Sequence, residues 1–530
     1  MRYYFSLLLV LPLLIVACSG QYPATIRLST ATPPPPLPPA PTSSSQPSRE
    51  FTDCPIDSPP AAPVHNLVEL LPGCDYAQWF ETNTGYEPDD GYFGSYAFQP
   101  WGDSIYLGFG AARPAEADGS LFARYGANVL TALYQPTEQG FIDMSTDIEQ
   151  PVIHIPGPDP TDPAESGGSQ WDWGNTYVYA PPTATMTKHR NLPDVIHTWG
   201  LESTPAGLYA AVSSHMGDYE TWTGEVFRST DMGESWERLA NKDAGVGDYR
   251  TYDIIRFHDR LYLVWNDEYG EPCGLAESED GGYTWQRLDE FTGYTHCRSR
   301  LFLYDDQLLI IGSARDGILA LHPDGSVSTH IFPDFKTQSY AYNPFAVDGQ
   351  GRLYLVTEDN RIVRTSDLDH WTTLVASDRD FITLNYWPDI DRIVVGDRGG
   401  MGRVWLLNPN LGRVKQPPAP SPSIALNGYD VVIQWPMQIG LDFRVYRDDA
   451  PDFTPPIAYF YTVIDDTAWI DPEGGKKPGG LFYEVRSQNA MGDISAPSRT
   501  LGKFTFALTP GQTDSKTSLI WLPELLPGQR

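Results

Sequence analysis

The 530-residue chain carries 68 acidic against 36 basic residues, a formal charge of −32, with only 20% of residues charged. So acidic a chain repels a phosphate backbone, which argues against nucleic acid as its partner. Aromatic content of 13%, with 47 Gly and 48 Pro scattered between short apolar runs, excludes a disordered or collagen-like chain and points to a turn-rich all-β protein of about three domains.

In chain order, Arg2 and the apolar run Leu7 to Val16 form a signal-peptide pattern too short to span a bilayer comfortably. Ile15-Val16-Ala17-Cys18 then resembles a bacterial lipobox. The resemblance implies a lipoprotein signal peptide over 1–17, lipidation of Cys18, and an exported protein anchored at the bacterial cell surface or envelope, touching the membrane only through that lipid. Residues 18–50, rich in Pro, Ser and Thr, read as an extended tether. Cys54, Cys74, Cys273 and Cys297 remain, a near-terminal pair and a mid-chain pair, for which two disulfides are the simplest reading in an oxidising compartment. No CxxC accompanies them, so no metal is expected there. The run Gly157-Pro158-Asp159-Pro160-Thr161-Asp162 offers weak oxygen ligands for calcium, with a plain loop the alternative, and no other cofactor is expected.

From about Tyr76 to Val414 one template recurs: a half-apolar run, a polar turn, then a stronger apolar run. Copies lie at Tyr92–Arg113, Val195–Met216, Arg250–Tyr269, Cys297–Gly317, Tyr342–Arg361 and Phe381–Gly400, with a weaker one near Val152–Ile155. Each copy leads into a second hairpin. Four short strands every 40–50 residues or so is the spacing of propeller blades. Residues 51–415 therefore read as a single β-propeller, with seven blades fitting best and six the alternative.

Two of the second hairpins turn through Ser229-Thr230-Asp231-Met232-Gly233-Glu234-Ser235-Trp236 and Ser278-Glu279-Asp280-Gly281-Gly282-Tyr283-Thr284-Trp285. Both resemble the Asp-box, or BNR repeat, of sialidase-like propellers, and Thr365-Ser366-Asp367 with Trp371 is a degraded copy. The chemistry of the box is structural: the Asp accepts turn N–H groups, the Gly allows positive φ, and the Trp packs on the hairpin. After a linker at 416–420, residues 421–502 resemble a fibronectin type III domain, an immunoglobulin-like β-sandwich, through Val431–Trp435, Phe443–Arg447, Phe482–Asn489, Gly492 and Ser495–Ser498. Leu481 stands where that family usually places its tyrosine-corner residue. Residues 503–530 form a tail.

Asp-box turns on one face place the strand starts on the other. This collects the ligand-binding candidates Arg250, Arg298, Arg300, Arg315, Arg398, His197, His215, Asp267, Glu268, Asp316, Tyr342 and Asn343, and puts Cys273 beside Cys297. Arginine forks suit a carboxylate, as in the arginine cluster that sialidases use; equally, they suit pairing with Asp267, Asp316 or Asp397 to hold blades in register. The family's [FY]-R-I-P motif is missing and no catalytic set can be assigned by spacing. Trp171, Trp173, Tyr219 and Trp222 could stack on sugars or shield blade edges. Two readings follow. One is a recognition head for an extracellular glycan or protein ligand, with the second domain as a spacer. The other is a glycoside hydrolase of sialidase-like fold drawing on carboxylates such as Asp218, Glu220, Asp253 and Asp267.

Overall fold

The computed structural model describes residues 50–505, apart from 89–92, 111–118, 139, 163–170, 216–221, 242–243, 245, 269–272, 294, 296, 298–299, 313, 339–342, 400–401, 409–416, 439–440, 450–458, 465–466, 473, 478 and 490–494. The signal peptide, Cys18, the tether up to residue 49, Arg298, Tyr342 and the tail beyond 505 lie outside the described residues.

The described chain is almost entirely strand. Sheet one comprises Gly94–Trp101, Ser104–Gly110, Ser120–Gly126 and Val129–Tyr134; sheet two, Ser145–Thr146, Ile153–Pro156, Trp173–Ala180 and Thr185–Pro193. Sheet three comprises Val195–Thr204, Gly207–Ser214, Thr223–Ser229 and Glu237–Ala240; sheet four, Arg250–Phe257, Arg260–Asn266, Gly274–Ser278 and Gln286–Leu288. Sheet five comprises Phe302–Tyr304, Gln307–Ile311, Gly317–Leu321 and Val327–Ile331; sheet six, Phe345–Val347, Leu353–Val356, Arg361–Thr365 and Thr372–Ala376. The seventh array, Asp380–Trp387, Arg392–Arg398 and Val404–Leu407, takes its outer strand from far upstream: Leu67–Glu69, with Leu67 opposite Leu407 and Glu69 opposite Trp405. A Gly94–Arg398 pairing joins the first and seventh arrays into one eight-stranded sheet.

One cavity of about 400 Å³ is lined by Phe98, Ser145, Glu202, Asp253, Phe302, Phe345 and Leu384, one residue from the first strand of each array. The arrays therefore stand around a common axis in a propeller-like arrangement. Leu308–Ile311, Leu353–Val356 and Ile393–Val395 are buried throughout, because an inner strand is covered on both faces and needs a continuous apolar run. Each such aliphatic side chain contributes about 1.5–3 kcal/mol. The outer strand Val327–Ile331 meets water and carries Ser328, Thr329 and His330.

In sheet three, Val195 pairs with Ser214, whereas Thr204 pairs with Gly207 and Leu208 with Ser229. The turn after Ser229 thus lies at the lower face, opposite the upper face where first strands begin. Its geometry repeats: Asp231 accepts the backbone N–H (2.8 Å) and hydroxyl (2.5 Å) of Ser235, and Asp280 those of Thr284 (2.9 and 2.6 Å). Gly233 and Gly282 take φ of +92° and +96°, where a Cβ would be strained. In the turn after Thr365, Asp367 likewise accepts the backbone N–H groups of Asp369 and His370.

A helix that the sequence reading lacks, Tyr76–Thr84, is capped by Asp75 and buries Tyr76, Trp79 and Phe80; Tyr76 and Trp79 pack on Phe109, and Phe80 on Phe93. Disulfide Cys54–Cys74 secures the approach to it, and Cys273–Cys297 ties sheet four to the chain leading into sheet five.

A two-sheet sandwich follows: Ser423–Asn427, Asp430–Gln434 and Ala468–Asp471 against Tyr459–Ile464, Leu441–Asp448, Gly479–Asn489 and Leu501–Thr505. Val431, Ile433, Trp435, Val445 and Val485 share its core. The corner is closed by Tyr483, two residues beyond Leu481, whose hydroxyl donates to Asp471 at 2.7 Å while Arg447 grips the same carboxylate. The sandwich is not detached from the arrays. Arg444 bonds Asp378 between sheets six and seven, and Arg486 Nη1 donates to the Asp359 carbonyl at 3.5 Å.

Candidate ligand-binding site

Two places concentrate polar and aromatic side chains. The first is on the upper face. Arg250 opens sheet four opposite Asn266. Its guanidinium stands over three rings: Tyr249 at 4.7 Å, Trp222 at 4.8 Å and Trp199 at 5.7 Å. His197 stacks on Trp199 with centroids 4.6 Å apart and lies 5.8 Å from Trp222. Tyr252 extends the group from Trp199 at 5.5 Å, and Trp222 meets Tyr249 at 5.7 Å. Trp199 is nearly buried and fixed by Nε1–H to Ser213 Oγ at 2.8 Å, whereas Trp222, Tyr249 and Arg250 are half-exposed. Arg250 Nε is buried without an acceptor, and among the described residues no carboxylate pairs with this guanidinium. His197 Nε2 meets Asp159 at 2.9 Å, yet burial outweighs that carboxylate and holds its pKa below the usual histidine range, so the ring is neutral at pH 7.

The second place lies deeper, at the axial cavity. Arg300 Nη1 donates to Asp253 Oδ1 at 2.7 Å and Nη2 to the Trp199 carbonyl at 2.6 Å, with Asp143 at 3.3 Å. The backbone N–H of Leu301 closes on the other Asp253 oxygen at 2.7 Å. Gly200 permits this layer: a Cβ there would stand 2.8 Å from Asp253 Oδ1 and 2.9 Å from Arg300 Nη1. A register shift between Thr251 and Asp253 re-aims the strand here, and one between Thr198 and Gly200 does the same in sheet three. Burial raises Asp143 and Asp253 above the normal carboxylate range, with Arg300 opposing in both cases. Glu202 is pushed up to about 8, first by burial and then by Asp253 and Asp143. Its carboxylate accepts the backbone N–H of Arg256 at 3.1 Å.

The other candidates are dispersed. Asn343 joins the axial layer, donating to the Ile142 carbonyl at 3.1 Å. His215 is buried, with Nε2 3.0 Å from the Trp171 carbonyl. Arg315 donates to the Thr337 carbonyl at 3.1 Å and faces Glu358 at 3.3 Å. Arg398 is held by Asp380 at 2.5 Å. Asp267 is gripped by both terminal nitrogens of Arg287, itself 3.7 Å above Trp265. Asp397 takes Arg379, whereas Glu268 and Asp316 are exposed. The described arginines therefore do not converge on one anion site, because each buried one is matched to its own carboxylate. In the Gly157–Asp162 run, Lys188 Nζ lies 2.5 Å from Asp162 and His197 Nε2 2.9 Å from Asp159.

Sequence reasoning missed Glu202, Asp143, Trp199 and Tyr249. Their signal is positional: all four lie in or just before a first strand, as Arg250 does, and a bulge at Trp199 re-aims its strand in sheet three.

No protein-family model matches the chain. A 137-residue stretch is 30% identical to the xyloglucanase Xgh74A of Acetivibrio thermocellus, covering 23% of this chain and 16% of that enzyme. Among solved structures, virginiamycin B lyase from Staphylococcus aureus aligns over 60% of this chain and 96% of its own, at 9% identity and a TM-score of 0.43. The extracellular domain of a hybrid two-component system from B. thetaiotaomicron aligns over 77% and 55%, at 9% identity and a TM-score of 0.41. No helix among the described residues is long and apolar enough to cross a membrane.

Proposed function

We propose that this chain is an exported, lipid-anchored protein whose seven-bladed, Asp-box-bearing propeller recognises an extracellular glycan through its upper face, with a fibronectin type III sandwich behind it. The observation that carries the reading is the half-exposed group of Trp222, Tyr249 and Arg250 backed by Trp199 and His197. Aromatic faces stack on the apolar faces of sugar rings, and a guanidinium with free donors takes hydroxyl or carboxylate oxygens. Two disulfides suit an oxidising compartment.

A second reading, glycoside hydrolysis, draws support from the stretch similar to a xyloglucanase and from Glu202, a carboxyl that stays protonated at neutral pH beside Asp253 and Asp143 in the axial cavity.

The test incubates the protein with xyloglucan, uronate-containing and sialylated glycans, and scores retained and released sugars by mass spectrometry. Recognition predicts retention without release, lost at least tenfold in Trp222→Ala with an unchanged thermal midpoint. Release of sugar that is abolished in Glu202→Gln would replace recognition by hydrolysis. Retention unaffected by Trp222→Ala would remove the upper-face site.

A further inference from the structure

The sandwich stands on the upper face, the one that carries the aromatic group. Asp359 lies in the turn between the second and third strands of sheet six, and Asp378 in the turn that leads from sheet six to sheet seven. Register puts both turns at the upper end: Val356 and Ile362 pair there, as do Arg361 and Ala376. On the sandwich side, Arg444 and Arg486 are directly opposed on neighbouring strands. They are only 8% and 4% exposed. Arg444 bonds the Asp378 carboxylate and, through Nε, Gln488 at 2.8 Å; Arg486 bonds Glu484 at 2.7 Å and the Asp359 carbonyl. The next residue, Ser487, donates to the Pro418 carbonyl at 2.6 Å and so pins the connecting segment to the same strand. A freely hinged spacer would leave these strand positions in water.

Sheets three and four hold the aromatic group, sheet six and the approach to sheet seven hold the sandwich, and sheet five lies between. Arg315 of sheet five, partly exposed, faces Glu358 of the sheet-six turn at 3.3 Å, and Asp316 beside it is exposed, so the path between the two places is polar. The rings themselves are laid out as a run, Tyr252 to Trp199 to His197 to Trp222 to Tyr249, with successive centroids 4.6 to 5.8 Å apart. His197 and Trp199 in the middle are buried, so the partly exposed rings are Tyr252 at one end and Trp222 with Tyr249 at the other, two separate places for a sugar ring to stack.

We propose that the sandwich is a wall of the binding site and that the ligand is an internal stretch of an extended polysaccharide, laid across the upper face with the rings gripping one part and the sandwich bordering the next. This rests on the glycan reading above. The predicted consequence is that affinity depends on chain length only while the sandwich is docked.

The experiment measures binding of the full chain to xyloglucan polymer and to its short oligosaccharide fragments by calorimetry, with X-ray scattering to report docking. Asp378→Arg, which sets a cation against Arg444 on a half-exposed turn, is expected to extend the particle, weaken polymer binding at least tenfold and change fragment binding by less than twofold. The exchanged pair Asp378→Arg with Arg444→Asp is expected to restore both. An Arg444→Glu, Arg486→Glu double variant gives a second route to release. Polymer binding that survives release, or a loss that is equal for both probes, overturns the proposal while leaving glycan recognition standing. A sandwich that stays docked in both variants overturns the arginine clamp on which the proposal stands. No binding of either probe by the wild-type chain refutes xyloglucan recognition and takes this inference with it.

Discussion

Arg250 and Arg300 lead into the first strands of neighbouring sheets, yet their surroundings are opposite. Arg300 is 7% exposed and locked between Asp253, Asp143 and the Trp199 carbonyl. Arg250 rests on aromatic faces with no carboxylate partner among the described residues. Trp199 serves both: its ring meets one guanidinium and its carbonyl accepts from the other. A buried cation that satisfies two carboxylates is framework, whereas a partly exposed one held on aromatic faces is not spent on an ion pair among the described residues. The two residues show that an arginine count on a face says little until the acids behind it are placed.

The sharpest way to break that contrast is Arg300→Ala. It leaves Asp143 and Asp253 buried and facing each other, and is expected to cost about 3–5 kcal/mol in chemical denaturation. Survival of full stability would mean the axial layer is not framework.

Glu202→Gln probes the same layer more gently. The carboxyl has a folded pKa near 8 against an ordinary value of 4.5, so between those pH values the folded state holds a proton that the unfolded state has released. Its contribution to stability therefore falls as pH rises from about 4.5 to about 8. The Gln variant should equal the wild type below pH 4.5 and exceed it by several kcal/mol above pH 8, a difference that thermal melts across pH would read. A constant offset at all pH values would contradict the assignment. The smallest effect on stability belongs to Arg250→Ala, at most about 1 kcal/mol, because half-exposed cation–π contacts are weak. Its consequence should appear instead as lost glycan retention, and a collapse of the fold would merge the two arginines into one class.

These differences also mark how far the sequence could be read. Strand recurrence, the two Ser-x-Asp-x-Gly turns and both cysteine pairs are local or nearly local patterns, visible through period-two alternation, Gly at φ-positive turns and cysteine spacing. Leu67–Glu69 was not, since three residues carry no period and their partner is Leu407. The helix Tyr76–Thr84 was readable in principle from Asp75 and the i, i+3, i+4 set Tyr76, Trp79 and Phe80, but nine residues in an aromatic-rich stretch give little contrast with a strand. At the site, strand position alone points to His197 and Arg250, whereas the division of the arginines depends on through-space neighbours such as Asp143 and Asp253. The bulges that aim them shift side-chain direction without any composition signal.

The pairing of Leu67–Glu69 with Leu407–Trp405, reinforced by the Arg403–Glu69 ion pair, joins segments from opposite ends of the seven arrays. Such a seam sets an order of events: Leu67–Glu69 has no strand to pair with until the segment ending at Leu407 has been made, so this pairing is a late, high-contact-order step. Until then Val404–Leu407 presents an unpaired apolar edge, the kind of edge on which neighbouring chains assemble. Shortening the chain at either side of the seam would therefore leave a protein with most of its sheets intact and a permanently sticky flank.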